Sequence, residues 1–182
     1  MVKLINPQRY DIILDTQRGI YENIDCLRNQ IRFHQKIAEQ IFEKIEGSVV
    51  VDSKDLKALK SIDEYGRVIV GTNIIMGALN ANVKRFLRKH RKSLLHKAVF
   101  GYVLGSNYAC EQKYLDKLRK LMASRDVVFL GGVIDPSQAK GFYRNIINGV
   151  LISMKENNQP LPSINYPKLE AFIAKIIGYP ND

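Results

Sequence analysis

Five short apolar runs limit what this chain can fold into: "YDIILD" (10–15), "SVVVDS" (48–53), "RVIVGT" (67–72), "AVFGYVLGS" (98–106) and "VVFLGGVID" (127–135). They are rich in Val and Ile and near-continuous rather than alternating, the pattern of strands covered on both faces. Between them lie segments with helical spacing, such as Ile24, Leu27, Ile31, Ile37, Ile41 and Ile45, and later Leu115, Leu118, Leu121 and Met122. The connection 54–66 is short, with at most one helical turn from Leu56 to Lys60. Two further helices are expected over 141–156 and 166–179, joined by the loop "NNQPLPSIN". Five β–α units in series imply a parallel sheet with helices on both faces, so a three-layer α/β sandwich is expected.

The bulk properties fit one such unit. With 182 residues, 46% of them hydrophobic and 25% charged, the chain is long enough for one well-buried core and is expected to be a single domain over 1–182. No stretch reaches the ~20 continuous apolar residues of a membrane span, and "MVKLINPQRY" has no apolar core of a signal peptide. The expected location is the cytoplasm. Cys26 and Cys110 lie far apart outside any C-x-x-C pair, which suggests reduced, structural thiols and no zinc site.

Charge points outward. The 28 Lys and Arg against 18 Asp and Glu leave a formal +10, and the excess is concentrated in "KRFLRKHRKSLLHK" (84–97), which holds no acid. On a helix Leu79, Val83, Phe86, Leu87, Leu94 and Leu95 would form the buried stripe, leaving the cations outside. Such a face is either simply solvated or meets something anionic: the inner face of a membrane, an acidic redox partner or a nucleic acid. Nucleic acid is disfavoured, because there is no zinc-finger spacing, no RNA-recognition signature and no aromatic interleaving in the run. His34, His90 and His96 read as surface or core histidines on helices away from the strand ends.

In open α/β sheets ligands bind outside the carboxyl ends of the strands. Here the first strand ends in Asp15-Thr16-Gln17-Arg18-Gly19, the third in Gly71-Thr72-Asn73-Ile74-Ile75-Met76-Gly77 and the fourth in Gly105-Ser106-Asn107-Tyr108. Three glycine-containing loops with hydroxyl or amide groups at one edge would let backbone amides approach a ligand, with Tyr108 offering a flat face.

The order and spacing of elements from about Tyr10 to Ile177 resemble flavodoxin-like proteins, and within them the branch containing the flavodoxin-type protoporphyrinogen oxidase. The two segments that carry the resemblance are "EYGRVIVGTNIIMGALNANVKRFLRKH" (64–90) and "FLGGVIDPSQAKGFYRNIINGVLISM" (129–154). It implies a five-stranded flavodoxin-like sandwich holding flavin mononucleotide (FMN). Thr16, Gln17, Arg18 and Gly19 would take the phosphate, Thr72, Asn73, Ile74 and Gly77 one side of the isoalloxazine, and Ser106, Asn107 and Tyr108 the other. The implied function is an FMN-binding electron-transfer protein or oxidoreductase, with no separate catalytic residue identified, since the flavin itself carries electrons.

Two departures stand against that pattern. Asp15 occupies a position where the family's phosphate loop has a hydroxyl, and a carboxylate there would repel a dianion, with Arg18 beside it as partial compensation. The helix "KIAEQIFEKI" (36–45), which should follow the loop at once, begins only after the extra "IYENIDCLRNQIRFHQ" (20–35). The apolar spacing continues through that extra stretch nearly in phase, so a longer helix is expected rather than an inserted lid. The alternative function is therefore a flavodoxin-like domain that has lost FMN and serves as an interaction or regulatory module.

Overall fold

The computed structural model describes residues 11–15, 36–45, 48–52, 61–63, 65–75, 77–134 and 141–179. Five parallel strands form the sheet: β1 (Asp11–Asp15), β2 (Val49–Asp52), β3 (Arg67–Ile75), β5 (Ala98–Leu104) and β6 (Val127–Phe129), in the spatial order β2-β1-β3-β5-β6. Each lies within an apolar run read from the sequence, save that β3 goes on to Ile75. The reversal of strand order falls between β1 and β3, and there the carboxyl ends open a crevice. A sixth, two-residue strand, β4 (Ala78–Leu79), pairs antiparallel with the end of β3, which adds a hairpin to the expected parallel sheet.

Alternation along the strands sorts the core into two layers. Val68 and Val70 of β3 and Val99 and Val103 of β5 face α2 (Ala81–Lys89), α3 (Arg91–Leu94) and α4 (Glu111–Met122). Ile69 of β3 and Phe100, Tyr102 and Leu104 of β5 face the other way, against α1 (36–44) and α6 (Tyr166–Ile177). The described part of α1 buries Ile37, Ile41 and Ile45 at the expected spacing; Ile24, Leu27, Ile31, the turn at Leu56–Lys60 and His34 lie outside the described residues.

On α6 the side chains of Leu169, Phe172, Ile173 and Ile176 are buried, and burial of each such group stabilises by about 1.5–3 kcal/mol. The ion pair of Lys44 with Glu170 joins the same two helices, but its side chains are 47% and 59% exposed, where a pair contributes ~0–1 kcal/mol. Apolar burial therefore fixes α6, assisted by Arg67 Nη1, which donates to the Ile176 carbonyl at 2.6 Å. By contrast α5 (Gly141–Glu156) has no fully buried residue among its described side chains, and Val150 and Ile152 are exposed. Among the described residues no helix is long and apolar enough to cross a membrane.

The basic segment differs from the single helix expected. It breaks at His90 into α2 and α3, so the apolar stripe holds through Leu94 while Leu95 points to solvent at 60% exposure. Arg85, Arg88, Lys89, Arg91 and Lys92 are exposed. Lys97 is not part of that outer face: its ammonium donates to the carbonyls of Asp63 (3.1 Å) and Tyr65 (2.6 Å), tying the end of the run to the turn before β3.

Candidate functional site

The third strand was expected to end in a loop after Gly71. It continues instead through Ile75, with Gly71, Thr72 and Asn73 level with Tyr102, Val103 and Leu104 of β5. A tight turn at Gly77, whose φ is +76°, then returns the chain into β4. That conformation suits glycine, and a Cβ there would meet nothing within 4 Å, so it is backbone geometry and not crowding that favours the residue.

The hairpin uses Thr72 for its own construction. The Thr72 side chain is fully buried; its hydroxyl accepts from the Asn80 N–H and donates to the Asn73 carbonyl, both at 3.3 Å. Asn80 in turn caps α2, its Oδ1 accepting from Asn82 N–H (2.8 Å) and Val83 N–H (3.3 Å). Ile74 packs, partly buried, on the α2–α4 side of the core. Gly77 is exposed at the tip.

Asn73 is different. Its side chain is 2% exposed and lies on the α1 side of the sheet by alternation with Ile69, yet neither its Oδ1 nor its Nδ2 has a hydrogen-bond partner among the described residues. A buried amide left unmade costs about 1–3 kcal/mol, so such groups are rare without a reason. The register sets Leu14 of β1 level with Val70 of β3. Asp15 ends β1 level with Asp52 of β2. Thr16, Gln17, Arg18 and Gly19, and the stretch from Ile20 to Gln35, lie outside the described residues.

The edge beyond β5 is tightly knit. Gly105 donates its N–H to the Gly131 carbonyl at 2.9 Å, and a Cβ on Gly132 would stand 2.9 Å from the Gly105 carbonyl carbon, so two backbones touch. Ser106 is half-buried and Asn107 exposed. Tyr108 is 42% exposed, its ring standing edge-on to Phe129 with centroids 5.6 Å apart. Its hydroxyl donates to the Ser163 carbonyl at 2.7 Å and accepts from the Ser163 N–H at 3.3 Å. The flat face expected at Tyr108 is thus anchored from behind by the segment between α5 and α6, a role for Ser163 and Gly131 that no local sequence signal indicates.

The histidines stand off this edge. His96 is exposed, while His90 is buried at the α2–α3 joint, its ring tilted 39° against that of Phe86 with centroids 4.7 Å apart, and its Nε2 is unpartnered among the described residues. Burial, and secondarily Lys89, hold its pKa below the ordinary 6.5, with Asp63 opposing. Asp63 itself is held below its usual value, chiefly by the Ser61 hydroxyl, which donates to it at 2.7 Å. Cys110, a free half-buried thiol, opens α4. No three of His, Cys, Asp or Glu among the described residues gather as metal ligands would.

Comparison with known proteins adds family and fold. Residues 34–160 match the family model described as Flavodoxin domain. Among solved structures the chain is similar to a mutant flavodoxin of Fusobacterium nucleatum bound to flavin mononucleotide, at 15% identity over 68% of each chain with a TM-score of 0.45. It is also similar to the Streptococcus pneumonia TIGR4 flavodoxin (13% identity, 92% of this chain and 97% of that one, TM-score 0.45). A third is an NADH:FMN oxidoreductase in its apo form (16% identity, 80% and 90%, TM-score 0.43). No curated protein matches the chain.

Proposed function

The chain belongs to the flavodoxin domain family, and from that premise we propose that it binds FMN at the carboxyl edge of β1, β3 and β5 and works as an electron-transfer protein or oxidoreductase. The observation that carries this reading is the Asn73 amide, buried at the strand edge with a donor and an acceptor unused among the described residues. A polar ligand at the β1–β3 crevice would satisfy both, which is the fit expected of a phosphate- and amide-bearing cofactor. FMN, when bound, supplies one- or two-electron chemistry. The residues supply the rest: Asn73 a buried donor and acceptor, Thr16, Gln17, Arg18 and Gly19 the phosphate contacts, and Ile74 and Gly77 on one side with Ser106, Asn107 and Tyr108 on the other the walls. Thr72 acts through the hairpin, because its hydroxyl is already committed to Asn80 and Asn73.

The purified protein should show the absorption band of bound flavin, or quench the fluorescence of added FMN. A colourless protein that quenches nothing would overturn the proposal and support the second reading, a domain that has given up the cofactor and acts as an interaction module. Asp15, a carboxylate where a phosphate would need a donor, is the residue that favours the second.

The finer reading, an activity like that of the flavodoxin-type protoporphyrinogen oxidase, draws support from the resemblance over 64–90 and 129–154. In it the cations of α2 and α3 rest on an anionic membrane, at ~1 kcal/mol per basic group near the surface. Vesicles rich in anionic lipid should then sediment the protein at low salt and release it at high salt; no binding at low salt would leave those cations a solvated face.

A further inference from the structure

The segment between α5 and α6 reaches the candidate site from far along the chain, and its attachments there are few and specific. Besides the paired hydrogen bonds of Tyr108 with Ser163, Gly131 and Ile164 form an antiparallel bridge, in which the Asn165 N–H donates to the Leu130 carbonyl at 2.8 Å. Both meet at Gly131. That glycine has φ +77°, and a Cβ on it would overlap the Ser163 carbonyl oxygen and stand 2.6 Å from the Tyr108 hydroxyl. Residues 163–165 therefore pass so close to the end of β6 that only a residue without a side chain fits beneath them.

The start of this segment is held more lightly. Gln159, Pro160 and Leu161 are exposed, Leu161 at 65%, with the Gln159 N–H donating to the Met154 carbonyl at 2.8 Å and Pro162 buried, and α5 before them buries none of its described side chains fully. The position of residues 163–165 over the sheet edge thus depends on three contacts of their own. Of these, one is the backbone bridge fixed by the course of the chain and one is the Ile164 side chain, buried in the core. The third is a side-chain hydroxyl that belongs to the candidate site.

We infer that Tyr108 is a latch: its hydroxyl locks residues 163–165 as the outer wall of the site, and the same contact fixes the tilt of the ring before any ligand arrives. A hydroxyl that both donates to and accepts from one backbone residue defines the ring's direction more tightly than packing on Phe129 alone. Setting the ring in place beforehand removes ordering cost from binding. In the flavin reading, on which this half rests, the wall and the stacking face are one unit, and whatever loosens 163–165 loosens the grip on the ring.

Tyr108→Phe separates the two halves, since it keeps the aromatic face and removes only the hydroxyl. In ligand-free protein, amide exchange at Ser163, Ile164 and Asn165 should quicken several-fold, with α4 and β5 unchanged as internal controls; unchanged exchange at 163–165 would overturn the latch. With FMN added, release should also quicken several-fold in the variant. Faster exchange with unaltered FMN release would overturn the link between the latch and the site. Faster exchange in a protein that binds no FMN in either form would uphold the latch and bring down the flavin reading instead.

Discussion

The two sides of the candidate site contrast. On the β5–β6 side the protein completes itself: three glycines let backbones approach closely, and the Tyr108 hydroxyl and the Ser163 backbone N–H and carbonyl satisfy one another. On the β3 side the hairpin satisfies Thr72 and Asn80 but leaves the Asn73 amide buried and unmatched among the described residues. An unmatched buried amide costs the fold about 1–3 kcal/mol. In the proposed function one wall is rigid and the other recognises the ligand.

The largest effect should come from breaking the closed side. Gly131→Ala puts a methyl group into the Ser163 carbonyl and forces φ +77° on a residue with a Cβ, so it should lower stability by about 2 kcal/mol or more. Chemical denaturation measures this; a loss under half that size would mean that the 163–165 segment yields easily and that the two sides are alike. Breaking the open side should go the opposite way. Asn73→Leu removes an unmatched buried amide at similar volume and should leave the ligand-free protein as stable or more so, by about 1 kcal/mol, while abolishing FMN binding. A variant that is destabilised and still binds FMN would show that Asn73 serves the fold.

His90 sharpens the contrast, because its Nε2 is also buried and unpartnered but lies away from the strand edge. Its pKa is depressed in the folded state, mainly by burial, relative to 6.5 when unfolded. The unfolded chain therefore binds the proton first, so stability should be constant above about pH 6.5 and fall as pH drops from there toward the lowered folded value. Denaturation midpoints between pH 8 and pH 5, with His90→Gln losing most of that slope, check it. FMN should leave this pH slope untouched; a ligand effect on it would join His90 to the site and blur the distinction from Asn73.

The strands were legible because burial on both faces writes itself into the sequence as unbroken Val and Ile, and helices 36–44, 111–122 and 166–177 because their apolar spacing is strict. The end of β3 was not legible. Gly-Thr-Asn reads as a loop on propensity, and only pairing with Val103 and Leu104 on one side and with β4 beyond makes it strand. The break at His90 was hidden since the apolar stripe runs through it nearly in phase. Tyr108 was found as an edge aromatic, but its partner is 55 residues away and offers only backbone, for which a sequence carries no mark. Of the expected site, Thr72, Asn73 and Ile74 end β3, Gly77 turns the chain into β4, and Ser106, Asn107 and Tyr108 follow the neighbouring β5, and they divide into structural and unsatisfied groups by hydrogen bonds that no motif encodes.

The clamp of Arg67 on the last turn of α6 has a consequence for how the protein comes into being. The layer beneath β3 and β5 is shared between α1, near the start of the chain, and α6, beyond the residues that match the family model. During synthesis the sheet and the α2–α4 layer can assemble while Ile37, Ile41, Phe100 and Tyr102 still await their cover. Only when residues 166–177 have left the ribosome can Leu169, Phe172 and Ile176 close that face and the Ile176 carbonyl reach Arg67 at the opposite end of the sheet from the crevice. Until then the nascent chain presents an apolar surface to chaperones and to other copies of itself, and the time until residues 166–177 emerge sets how long that exposure lasts.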